Sequence, residues 1–166
     1  MAHPNRDSSC HRRFGFTLIE MVITVVIVAI LATVALPLAE VTMQRAREHE
    51  FKAALQQIRG AIDAYRQAVD EGRIVRRTDE SGYPKSLEVL TTGVEDAKSP
   101  KKTMIYFLRR IPRDPMATDS TLAPSETWGK RSYASPPDEP KAGDDVFDVY
   151  SLSSGVGLNG IRYREW

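Results

Sequence analysis

An uncharged apolar run dominates this sequence. From Phe16 the chain reads FTLIEMVITVVIVAILATVALPLA, and from Met21 to Ala39 it carries no charge over 19 residues. Glu20 alone interrupts the run. As a helix, Phe16 to Ala39 would be roughly 36 Å long at about 1.5 Å per residue. The hydrocarbon core of a bilayer is roughly 30 Å thick, so the run is long enough to span it. Its many Val, Ile and Thr residues disfavour a helix in water. Lipid removes that choice, because backbone groups there must bond within the segment.

Charge flanks the run unevenly. Arg6, Arg12 and Arg13 precede it against Asp7 alone, whereas Arg45, Arg47 and Lys52 after it are balanced by Glu40, Glu48 and Glu50. The positive-inside rule therefore puts the N-terminus in the cytoplasm and the rest on the far side. The whole chain has 23 basic and 22 acidic residues. That near-neutral balance, with no basic cluster, argues against a nucleic-acid partner. Cys10 is the only cysteine, so the chain cannot form an internal disulfide.

The helical pattern continues past the apolar run. Phe51, Leu55, Ile58, Ile62, Tyr65 and Val69 recur at spacings of 4, 3, 4, 3 and 4, an apolar stripe on a polar helix. Glu48, Glu50, Lys52, Arg59, Asp63 and Arg66 are expected off the stripe. One helix is predicted from about Phe16 to about Glu71, stopped at Gly72. Beyond it, Lys85 to Leu90 reads as a short helix and Thr103 to Leu108 as another helical turn. The recurrent prolines from Pro112 to Pro140 indicate loop. Arg131 to Ala134 and Val146 to Leu152 read as strands, and Ile161 to Glu165 as a returning strand. The expected fold class is α+β, a long N-terminal helix packed on a small antiparallel sheet.

The stretch Arg12-Arg13-Phe14-Gly15-Phe16-Thr17-Leu18-Ile19-Glu20 combines basic residues, a glycine, and an apolar run with glutamate at its fifth place. It resembles the N-terminus of the type IV pilin-like prepilin family, which includes type IV pilins and type II secretion pseudopilins. The resemblance implies three parts: a prepilin leader, 1–15; a membrane and assembly half-helix, 16–39; and a periplasmic pilin-like domain, 40–166. It implies cleavage after Gly15 by a prepilin peptidase and N-methylation of the new terminus, Phe16. The cut leaves the membrane helix attached, whereas an ordinary secretory signal loses its apolar core.

Glu20 is the expected assembly residue. A carboxylate within a lipid helix costs several kcal/mol unless partnered. Cleavage creates a partner, the α-amino group of Phe16, with a reference pKa of roughly 7.7–8.0. That amine belongs to the same chain or to a neighbour; the resemblance implies the neighbour, which would set axial register. Pro37 removes a backbone bond within the helix, so a bend or local unwinding is expected there. The resemblance links such a proline to melting on assembly.

The C-terminal half resembles the major, G-type pseudopilin. The residues are Tyr83-Pro84 with Leu87 and Leu90, Ile111-Pro112-Arg113-Asp114-Pro115, Trp128-Gly129, Ser132-Tyr133 and Asp148-Val149-Tyr150-Ser151-Leu152. That family carries calcium in the loop after the last strand. Here the loop, Ser153 to Gly160, holds no carboxylate, leaving Ser154 and Asn159 with Asp144, Asp145 and Asp148 upstream as weak calcium ligands.

An enzyme is not expected. His3 and His11 lie in the leader, His49 on the helix, and Gly155-x-Gly157-x-x-Gly160 is a turn rather than a phosphate loop. The resemblance implies a subunit of a bacterial inner-membrane system, single-pass with its C-terminal domain periplasmic. It would polymerise with itself into a pseudopilus for protein export, alongside other pseudopilins, an assembly platform and a cytoplasmic ATPase. The alternatives are a type IV pilin, major or minor, for adhesion, motility or DNA uptake, and a signal-anchored periplasmic binding domain that does not polymerise.

Overall fold

A computed structural model describes residues 15–166, the side chains of Val34, Leu36 and Pro37 excepted. Expectations for the leader, Arg12 and Arg13 included, and for the Pro37 side chain fall outside the described residues. The chain divides into two compact units, Met1–Thr42 and Met43–Trp166.

One helix, α1 (Leu18–Asp70), runs through both. In the first unit its described side chains are almost all exposed, apolar ones included. Thr24, Thr33 and Thr42 donate their hydroxyls to carbonyls three or four residues back. Those three hydroxyl donors are thereby met within the helix, on a surface suited to lipid. α1 is the one described helix apolar and long enough to cross a membrane. It continues through position 37 without unwinding.

In the second unit α1 has a buried side. Phe51, Leu55, Ile58, Ile62 and Val69 are buried and Tyr65 half-buried, as the stripe predicts. The helix ends in a Schellman motif: Arg73 N–H donates to Ala68 O and Gly72 N–H to Val69 O. Gly72 has φ +69°, which a side chain would resist.

Two small antiparallel sheets follow. β1 (Val94–Glu95) pairs with β2 (Met104–Ile105), Val94 opposite Ile105. β3 (Trp128–Arg131) pairs with β4 (Asp148–Ser151), Trp128 opposite Ser151 and Arg131 opposite Asp148. The main core joins the α1 stripe to Leu87, Leu90, Leu108, Trp128, Val146, Val149 and Tyr163. A smaller cluster of Ala68, Val69 and Ile74 closes the C-terminal end of α1. The α+β expectation, a long helix with small antiparallel sheet pieces, agrees with this architecture.

Several local expectations are corrected. Thr103 to Leu108 is not helical. Met104–Ile105 pairs with β1, and the N–H groups of Phe107 and Leu108 both donate to Leu90 O, which holds the segment extended. The short helix α2 is Val89–Thr92, later than the predicted Lys85 to Leu90. β3 lies N-terminal to the predicted Arg131 to Ala134, and β4 is shorter than Val146 to Leu152. Ile161 to Glu165 does not return as a strand. It makes one bridge, Val156 to Arg162, and then a 3₁₀ turn at Tyr163–Glu165. A 3₁₀ turn aligns residues three apart. Tyr163 and Trp166 accordingly lie 5.4 Å apart by ring centroid, and each is 5.7 Å from Phe51. Glu48 is not off the stripe: it is 8% exposed.

Candidate functional site

The N-terminal segment is open. A side chain at Gly15 would meet nothing within 4 Å, and Phe16 is 76% exposed. The helix then starts with a capping box. Glu20 N–H donates to Thr17 Oγ1 at 3.2 Å, and Thr17 N–H donates to Glu20 Oε2 at 3.4 Å. Glu20 is therefore the third residue of the helix and caps its own first turn. Thr-x-x-Glu ahead of an apolar run is a readable sign of this, and sequence reasoning missed it by treating Glu20 only as a stranded charge.

The weak calcium ligands do not converge. Asp144 is exposed. Asp145 is buried and accepts from Ser132 Oγ at 2.7 Å and Tyr133 N–H at 2.9 Å. Burial alone would raise its carboxyl, but the nearby Ser81 hydroxyl and the bonds from Ser132 and Tyr133 outweigh that and hold it low. Asp148 accepts from Arg59 Nε and Val149 N–H, each at 2.8 Å, and faces Arg131 at 3.7 Å. Asn159 Oδ1 accepts from Ile161 N–H at 3.0 Å, and Ser154 is exposed. Among the described residues no three His, Cys, Asp or Glu side chains gather as metal ligands. Calcium takes six to eight oxygens, and the Asp145 and Asp148 carboxylates already accept bonds from protein donors.

The loop meets instead a pair of polar side chains from α1. Glu48 Oε1 accepts from Leu158 N–H at 2.8 Å, Tyr163 Oη at 3.0 Å and Gln44 Nε2 at 3.2 Å. Gln44 Nε2 also approaches Tyr163 Oη at 3.2 Å and Val156 O at 3.4 Å. Glu48 lies three residues before Phe51 and Gln44 four before Glu48. The two extend the stripe in phase, a signal hidden because both are polar.

Arg59 ties α1 to the far sheet. Besides Asp148, it donates through Nη2 to Val149 O at 3.2 Å and Trp166 O at 2.9 Å. The Ile111–Pro115 segment is anchored by a buried acid. Asp114 accepts from Ser151 Oγ at 2.5 Å and Met116 N–H at 2.7 Å, and Trp128 Nε1 donates to Pro112 O at 2.8 Å. These contacts make the resembling segments structural joints. His49 is exposed, and Gly155 to Gly160 forms a turn.

A family model described as the prokaryotic N-terminal methylation motif matches residues 10–36. The chain is 26% identical over 141 residues to type II secretion system core protein G of Klebsiella pneumoniae, covering 81% of this chain and 93% of that protein. It is 24% identical to the protein of the same name from Dickeya chrysanthemi, covering 90% and 94%. With that of Escherichia coli strain K12 the identity is 24%, over 84% and 92%. No solved structure matches significantly.

Proposed function

We infer that the chain is a pilin-like prepilin of the pseudopilin kind, a core subunit of a type II secretion system. The observation that carries this is the methylation motif at the head of an uncharged helix, Gly15-Phe16 followed by Glu20. The similarity to core protein G across most of the chain favours secretion over pili. The subunit is anchored in the inner membrane by the 16–39 half of α1, with 40–166 as its periplasmic part. It polymerises into a pseudopilus that drives folded proteins across the outer membrane, and its role is structural rather than catalytic. A prepilin peptidase cuts after Gly15 and methylates Phe16. The subunit then meets the assembly platform and other pseudopilins.

Physics supports the order of these steps. Gly15 presents no side chain to a protease. The cut creates an amine beside a helix surface suited to lipid, where a positive charge finds one acid, Glu20. Heterologous contacts between copies then build an open helical assembly.

N-terminal sequencing and mass measurement of the protein from native membranes test this reading. They should find N-methylated Phe16 as the first residue. A start at Met1, or beyond Ala39, would overturn it in favour of a signal anchor or a secretory signal.

A further inference from the structure

We propose that Glu48 is the fastening residue of the C-terminal loop, its buried carboxylate holding Val156 to Tyr163 on α1 in the role a divalent cation would otherwise fill. The loop therefore keeps its fold without calcium. This concerns the second unit alone and stands whether or not the chain polymerises.

The polarity of the site carries the inference. A cation is held by oxygens turned inward. Here the loop turns a proton donor inward, Leu158 N–H, toward a carboxylate that the helix supplies. Tyr163, buried at the loop's end, directs its hydroxyl proton to the same oxygen. Gln44 adds a third donor and bridges toward Val156 O. These groups together complement an anion, and the anion is present as a residue of the chain. Hydrogen bonds to an ionised acceptor are stronger than neutral ones, which offsets the cost of burying the charge.

Several of the loop's own oxygens already accept bonds within the chain. Ile161 O accepts from Gly157 N–H at 2.8 Å, and Gly157 O from Gly160 N–H at 2.9 Å. Asn159 Oδ1 accepts from Ile161 N–H. Between Leu152 and Arg164 the chain has no Asp or Glu. Space beneath the loop is filled by protein: a Cβ on Gly157 would lie 2.4 Å from the Trp166 ring. Trp166 in turn packs on Phe51 and Tyr163. A carboxylate and an aromatic wedge thus hold the loop at two points.

The test uses the full-length protein in detergent micelles. Limited trypsin digestion follows cleavage after Arg162 and Arg164, alongside thermal unfolding, with either excess EGTA or millimolar calcium. The wild type should show the same cleavage rate and the same Tm in both. Glu48→Ala should speed cleavage about tenfold, the loss expected for charge-assisted bonds in a locally opening segment, again independently of calcium. Tyr163→Phe keeps the ring and removes one proton donor, so it should speed cleavage by less. If Glu48→Ala does not fold, Tyr163→Phe decides: a wild-type rate overturns the proposal. The proposal is also overturned if EGTA speeds cleavage of the wild type and calcium reverses it, or if Glu48→Ala digests at the wild-type rate. None of these readouts depends on filament formation, so the assembly reading stands or falls separately.

Discussion

The Ser125 and Ser86 hydroxyls beside the Glu88 carboxylate hold its pKa down to about 2, well below its ordinary 4.5. A carboxyl depressed on folding contributes stability above its ordinary pKa and loses it as pH falls toward the folded value. Asp114 runs the other way. Burial raises its carboxyl, and bonds from Ser151 and Met116 only partly oppose this. Its contribution is present below about the ordinary 3.8 and lost as pH rises through the raised value. Glu88→Gln should therefore flatten the fall in Tm between about pH 4.5 and pH 2, read by thermal unfolding across that range. An unchanged slope would show that Glu88 makes no such contribution. Legibility at this scale depended on proximity in the chain. Gly15, Phe16 and Glu20 sit within six residues, so their pattern shows in the sequence. Glu48 acts on Leu158 and Tyr163 across more than a hundred residues, and its polarity reads as a solvated face.

Phe51 is the clearest case among the elements. It is fully buried, stacks on Trp128 at 5.8 Å and touches both Tyr163 and Trp166. Truncation of such a ring leaves a cavity as well as lost burial. Phe51→Ala should destabilise the second unit by about 3–5 kcal/mol in denaturant titration. The α1 stripe was legible because a 3.6-residue period over many turns leaves little ambiguity. The short segments were not. Thr103 to Leu108 is apolar enough for either conformation, and bonds to Leu90 O and to β1 decide it. Ile161 to Glu165 has strand-like residues, yet bringing Tyr163 and Trp166 together on Phe51 requires a tighter turn. Neither partner lies near enough in sequence to announce itself.

For the whole molecule, the two units differ in what covers their apolar surface. The second has its own core, whereas the described apolar side chains of the first are exposed. In the proposed reading, lipid covers these before assembly and neighbouring subunits cover part of them afterwards. In that same reading Glu20 sets how those neighbours align. Glu20→Ala should leave cleavage after Gly15 and membrane insertion unchanged while abolishing filaments on overexpression, as seen by electron microscopy of sheared cells. Normal filaments from that variant would remove Glu20 from the assembly mechanism.

The Thr17–Glu20 cap bears on the energetics of such a polymer. An acid that already closes its own first turn waits in the bilayer at reduced cost, and docking then swaps partners instead of rescuing a bare charge. Glu20's own share of the free energy released by adding a subunit is the difference between the two arrangements, smaller than either alone. In the proposed reading, an acid with so small a share selects the register of docking, and the apolar surface supplies the hold.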